Sequence, residues 1–128
     1  MLNLKNPCET FDSLSQTENI KKAWCRATAH PSYQKEWTKN NPSYGQCCVT
    51  ALAVQDLYGG NICECKVQNK RHYINITPEG VFLDFTAEQF GKEQITYSNV
   101  RPRTRASLLK SKNVKERHEL FKPRLNEN

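Results

Sequence analysis

Gly45-Gln46-Cys47-Cys48-Val49-Thr50-Ala51-Leu52-Ala53-Val54-Gln55-Asp56-Leu57-Tyr58-Gly59-Gly60 predicts a buried helix over 46–58, and the other elements arrange around it. Cys48, Val49, Ala51, Leu52, Val54 and Leu57 run round most of the helix circumference. A helix apolar on so many sides belongs at the centre of a core. Gly59-Gly60 supplies its left-handed stop. At the other end a cysteine begins the helix after a Gly-containing loop. The first turn of a helix carries N–H groups without intrahelical acceptors and a partial positive charge. Both favour thiolate over thiol, and the same N–H groups can receive a developing oxyanion. Periodicity does not choose between Cys47 and Cys48, because adjacent helical side chains point about 100° apart. Cys48 fits equally well as a small core residue above Leu52.

Upstream, Ser15-Gln16-Thr17-Glu18 has the pattern of a capping box. Ile20, Ala23, Trp24 and Ala27 follow at helical spacing, which predicts a first helix over 16–28. His30-Pro31-Ser32 stops it, and the Pro-, Asn- and Ser-rich stretch 31–45 is a loop carrying Trp37. Downstream, strands are expected over 61–67, 71–77 and 80–85. Thr77-Pro78-Glu79-Gly80 between the last two suits a hairpin turn. Thr86-Ala87-Glu88-Gln89 repeats the capping-box pattern and should open a short helical turn. The C-terminal stretch holds Leu108, Leu109, Val114, Leu120, Phe121 and Leu125. Asn113 with Glu116 is a candidate cap for a last helix, which Pro123 should end or kink. Helix, helix, antiparallel sheet and further helices make an α+β arrangement in one domain over 1–128.

At 128 residues and 37% hydrophobic content the chain suits one core. Its longest apolar run, Val49-Thr50-Ala51-Leu52-Ala53-Val54, is far below the roughly 20 residues of a membrane-spanning helix. Met1 to Glu9 show no basic stretch followed by an apolar one, so no secretory signal is visible and a cytoplasmic location is expected. The six cysteines, at 8, 25, 47, 48, 63 and 65, are then expected as thiols. The net charge of +6 sits in one place: residues 101–128 hold nine Lys/Arg against three Glu, and the rest of the chain is neutral. Such a basic helical segment can contact nucleic acid or an acidic partner. It can equally be the solvated face of a terminal helix.

A nucleophilic cysteine needs a base. His72 lies on the second predicted strand and Asp84 on the third. A three-residue loop 78–80 would pair Thr77 with Val81, and His72 and Asp84 would then share a face as diagonal neighbours. A two-residue loop would put them on opposite faces. Gly80 suits the longer turn. Asn41 and Gln46 are candidate oxyanion or positioning side chains, with loop capping as the structural alternative. Trp37, Tyr44 and Asn75 are candidate pocket residues, although packing is the commoner fate of Trp. Cys63-x-Cys65 could hold zinc with Cys8 or with Cys47 or Cys48, but the usual two-residue spacing is absent, so no metal and no cofactor is expected.

The motif Asn41-Pro42-x-x-Gly45-Gln46-Cys47-x-Val49-Thr50-Ala51-Leu52-x-Val54-Gln55-Asp56-x-x-Gly59-Gly60 resembles the YunG-like family of small bacterial proteins. So do His72-Tyr73-x-Asn75, the segment from Gly80 through Asp84 and Thr86 to Gln89-Phe90, and the Arg/Leu-rich C-terminus. The resemblance covers roughly residues 20–125 and implies that Cys47, not Cys48, is the family's cysteine. More distantly the pattern is similar to papain-like and transglutaminase-like cysteine hydrolases. That likeness implies a papain-like fold, a central helix with Cys at its N-terminus packed on a small antiparallel sheet with flanking helices. It also implies Cys47 as nucleophile, His72 as general base and acid, and Asp84 as the orienting acid. Asn41 stands where such enzymes often carry an oxyanion Gln. The expected function is a hydrolase or acyltransferase acting on a small amide or ester, or on a peptide. The alternative is an inactive papain-like binding module that touches nucleic acid or an acidic partner through its basic C-terminus. The catalytic expectation requires the sulfur to lie within reach of the sheet-borne imidazole; a ring turned to the far side of the sheet would leave a packing motif.

Overall fold

A computed structural model describes residues 4–5, 16–91 and 94–126. Ser15 and Cys8 lie outside them. The elements in chain order are β1 (Leu4–Lys5), α1 (Gln16–Ala23), α2 (Cys47–Tyr58), β2 (Asn61–Val67), β3 (Lys70–Ile76), β4 (Phe82–Leu83), β5 (Ser98–Arg103), α3 (Arg105–Leu109) and α4 (Lys112–Arg124). Short 3₁₀ turns occupy Arg26–Thr28, Pro31–Tyr33 and Ala87–Phe90. The sheet order is β1-β4-β3-β2-β5, with four antiparallel strands and a parallel pairing of β1 on β4. The fold is therefore mixed α+β. Among the described residues no helix is long and apolar enough to cross a membrane.

α2 is the core helix that its composition predicts. Residues 48 through 54 are all buried. Val49, Ala53 and Val54 pack with Ile20 and Trp24 of the first helical region, Phe121 and Leu125 at the end of the chain, and Leu83 and Phe85 beside the sheet. Cys48, Ala51 and Leu52 pack on Ile62 and Leu108. Each large side chain so buried contributes about 1.5–3 kcal/mol. The C-terminal stop is steric. Gly60 has φ +80°, and a Cβ there would fall 2.1 Å from the carbonyl oxygen of Ile76, so only glycine fits.

The first helix ends at Ala23 rather than at 28. The Thr28 hydroxyl accepts from the Cys25 N–H at 3.0 Å and reaches Gln46 Oε1 at 2.8 Å. These side-chain bonds compete with helical ones and draw the chain into a 3₁₀ turn. The β3–β4 hairpin has the three-residue loop: Thr77 N–H donates to Val81 O, and Asn75 faces Leu83. The third strand is only two residues long, against the expected 80–85, because Asp84 Oδ1 accepts from Thr86 N–H and turns the chain away.

One further expectation is corrected, and one strand was not expected. The cap of α4 is Ser111, which accepts from Val114 N–H, while Asn113 accepts from Arg117 Nε instead. β5 was not foreseen. It carries Pro102, sits at the sheet edge and pairs with β2 across an irregularity between Glu64 and Lys66. Proline is tolerated only at such edges, and the strand shows no apolar alternation to betray it.

The basic C-terminal segment combines exposed lysines with arginines engaged inside the fold, a use of the charge that was not expected. Lys110, Lys112, Lys115 and Lys122 are exposed. The arginines are mostly fastened into the fold: Arg101 and Arg103 to Glu64, Arg105 to Asp56, and Arg124 to the carbonyl of Ala23.

Candidate active site

Cys47 is the first residue of α2 and is half-buried; Cys48, one position on, is buried among Ala51, Leu52, Ile62 and Leu108. Burial, with help from the neighbouring Cys47, pushes the Cys48 thiol up to about 12. The rotation between adjacent helical positions thus separates the two sulfurs into a core residue and an accessible one. Cys65 is likewise pushed up to about 12, by burial and then by Asp84 and Cys47, and burial raises Cys63. All five described cysteines are free thiols.

His72 is 1% exposed, and its Nε2 lies 2.7 Å from Asp84 Oδ2. The register of the hairpin makes this contact: facing residues are Asn75 with Leu83 and Ile76 with Phe82, so Ile74 falls opposite Asp84 and His72 is its diagonal neighbour. Asp84 is fully engaged. Oδ2 also accepts from the Tyr97 hydroxyl at 2.8 Å, and Oδ1 from the N–H and hydroxyl of Thr86. The phenol of Tyr97, pushed up by burial and by Asp84, stays a donor. The ring of Phe90 meets the imidazole edge-on at 4.9 Å.

Cys47 is the second polar neighbour of the imidazole. Burial lowers the pKa of His72, but hydrogen bonding and charge from Asp84 and Cys47 outweigh it and push the imidazole up to about 10. With Nε2 taken by Asp84, Nδ1 is the nitrogen left to Cys47. The ring thus lies between a carboxylate and a sulfur, both of which favour its protonated form.

The approach is unexpected. Tyr73 packs with Ala51 and Leu52, and Asn75 Nδ2 donates to Ala51 O at 3.0 Å, so the odd-numbered residues of β3 face α2. His72 therefore lies on the other face, with Ile74, Cys63 and Cys65. The ring is indeed on the far side of the sheet from the helix body, yet the sulfur reaches it. β3 pairs with β4 only at Asn75 and Ile76, so among the described residues no strand covers the edge beside His72. The loop before α2 is also tied to the far side: Gly45 N–H donates to Gln89 Oε1, and Asn41 Nδ2 to Gln89 O. Gln89 Nε2 donates to Thr86 Oγ1 at 3.1 Å. A continuous polar circuit therefore runs from Gly45 through Gln89, Thr86, Asp84 and His72 back to Cys47.

The other candidates are structural. Gln46 is wholly buried, with Nε2 on Cys25 O and Oε1 on Thr28, so it braces the loop and has no oxyanion-binding end. Asn41 anchors its loop on Gln89. Trp37 is buried with its indole N–H on Pro42 O, Tyr44 stacks on Tyr33 at 4.8 Å, and Asn75 ties β3 to α2. None of these three lines the cavity beside Cys47. That cavity, of about 540 Å³, is bounded instead by Cys47, His30, Tyr33, Tyr73, Arg103 and Arg117, among others. Tyr97, Thr86, Gln89 and Phe90 were not assigned to the site from sequence. Three of them fall in the stretch that resembles the YunG-like family, whereas Tyr97 carries no local signal. Cys63 and Cys65 point into the apolar far face, and no group of three or more metal-ligating side chains occurs among the described residues.

A family model described as "YunG protein" matches residues 13–128. The chain belongs to the YunG family. It is 42% identical over 81 residues to the "Uncharacterized protein YunG" of Bacillus subtilis (strain 168). That match spans 63% of this chain and 64% of its relative, somewhat under two thirds of either. No solved structure matches this YunG-family chain.

Proposed function

We propose that this YunG-family protein is a papain-like thiol hydrolase or acyltransferase that acts on a small amide or ester. The observation that carries it is the buried His72–Asp84 pair at 2.7 Å with Cys47 on the same ring. Cys47, as thiolate, attacks the carbonyl carbon and forms a C–S bond. The N–H groups of the first turn of α2 are the available donors for the oxyanion. The imidazolium of His72 gives its proton to the leaving amine or alkoxide, and the C–N or C–O bond breaks. Water, or an acceptor amine, then attacks the thioester while His72 takes its proton. The acyl group leaves and the thiolate is restored. Asp84 holds the ring in place and stabilises its charged form, and the Gln89–Thr86 link sets Asp84 against the loop that carries Cys47.

The alternative, a non-catalytic module that binds nucleic acid through its basic end, draws on the net charge alone. Most of the arginines concerned are committed within the fold.

p-Nitrophenyl acetate provides the test. A stoichiometric burst of nitrophenolate is expected, with the acetyl group found on Cys47 by peptide mapping, and no burst from Cys47→Ala. Iodoacetamide should also alkylate Cys47 fastest at neutral pH. Equal, sluggish labelling of every cysteine would overturn this function.

A further inference from the structure

The cavity beside Cys47 has a marked electrostatic character. Lys66, Arg71, Arg103 and Arg117 line it, and no Asp or Glu among the described residues does. Its volume of about 540 Å³ is that of a small-molecule site. Arg103 and Arg71 share the single carboxylate of Glu64 with Arg101, so that cluster keeps a net positive charge. Arg117 differs. Its side chain projects from α4, the residue is 4% exposed, and its partners are neutral: Nε donates to Asn113 Oδ1 at 2.7 Å and Nη1 to Thr28 O at 3.2 Å. No carboxylate among the described residues pairs with it. A buried guanidinium without a counter-charge is costly, and burial lowers the pKa of Arg117. The positive field is felt nearby. His30, on the cavity wall, has its pKa lowered by burial and then by Arg117 and Arg71. A cavity with a nucleophile candidate at its edge and an unbalanced buried cation in its wall is built for an anion.

We propose that the substrate is a small acyl compound with an anionic group, a carboxylate or a phosphate, that seats on Arg117 while its carbonyl meets Cys47. The proposal rests on the role of Cys47 given above and adds the substrate's charge. Arg117 supplies the fixed charge, oriented by Asn113, and Lys66 and Arg71 at the mouth draw the anion in.

Iodoacetate and iodoacetamide separate the two ideas. Each alkylates by the same displacement, in which the thiolate forms the C–S bond and iodide leaves with the electron pair; only iodoacetate carries a carboxylate. The rate of each at Cys47 is measured on the full chain by peptide mapping, with N-acetylcysteine amide as reference thiol. The iodoacetate-to-iodoacetamide ratio at Cys47 should exceed the reference ratio by about tenfold or more and fall in high salt. Arg117→Gln should bring the ratio back towards the reference. Should that buried replacement fail to fold, Arg71→Gln, at an exposed position, should lower the ratio by a smaller factor. Acetate and inorganic phosphate, compared at matched ionic strength, should protect Cys47 from iodoacetate, and the stronger protectant names the anionic group. A reference-like ratio with fast iodoacetamide labelling, or no protection by either anion, overturns the anion site and leaves the nucleophile intact. Slow labelling by both reagents at Cys47 overturns the nucleophile and the substrate proposal with it.

Discussion

Glu64 and Asp84 are buried carboxylates on opposite faces of one sheet, and they are satisfied by opposite kinds of partner. Glu64 receives Arg101 and Arg103, with Arg71 nearby. Burial alone would raise its pKa, but these guanidiniums outweigh it and hold the carboxyl below its ordinary value. None of the partners can give up a proton near neutrality. Asp84 is held by an imidazole, a phenol, and the N–H and hydroxyl of Thr86. Its charged partner, His72, can give up a proton, and that partner touches Cys47. Burial and pairing are common to both sites. What separates a clamp from a candidate proton relay is a titratable partner with access to a nucleophile.

The two carboxylates should therefore fail differently. His72→Gln should lower the rate of p-nitrophenyl acetate turnover by about 10²–10⁴-fold, the usual worth of a positioned acid–base group. Glu64→Gln should instead cost stability, about 1–2 kcal/mol by urea unfolding, since Arg101 and Arg71 keep much of their hydration. If both variants lose stability alone, the contrast is broken and Asp84 is a second clamp.

Stability against pH sharpens the same comparison. The pKa of His72 is raised above its ordinary 6.5 in the fold, so its contribution is complete below pH 6.5 and is lost as pH rises through about 10. The pKa of Glu64 is lowered from 4.5, so its contribution is complete above pH 4.5 and is lost as pH falls below it. Urea midpoints should decline on the alkaline side through His72 and on the acid side through Glu64. His72→Gln should flatten only the alkaline limb. The smallest effect belongs to Tyr97→Phe, which removes one hydrogen bond to Asp84 and should cost about 1 kcal/mol. Asp84, left with one donor fewer, should hold the His72 proton more firmly, so the alkaline limb should move upward. An unmoved limb would mean that the phenol does not bear on the pair.

Much of the candidate site was legible because it is written in local periodicity. The apolar run 48–54 places α2 in the core, Gly59-Gly60 ends it, and a cysteine falls on its first turn. The three-residue turn at 78–80 sets the parity of the hairpin, and parity alone decides that His72 and Asp84 share a face. The β5 strand was not legible, because an edge strand with Pro102 and two arginines has no apolar alternation. Nor were the duties of Gln46 and Asn75, which depend on partners elsewhere in the fold: Gln46 on Cys25 and Thr28, and Asn75 on the helix carbonyl of Ala51.

The order of side chains along the chain was enough to put a thiol on a helix start, an imidazole on a strand and a carboxylate just beyond the next one, since helix pitch and strand alternation act over a few residues. Packing decided the rest. It buried Cys48 and left Cys47 accessible, brought Tyr97 onto Asp84, let the sulfur meet the ring around the edge of the sheet, and set Arg117 in a cavity wall without a counter-charge. Each of these depends on atoms brought together from distant positions by the burial of a shared core, and no local rule of spacing encodes which of them will meet.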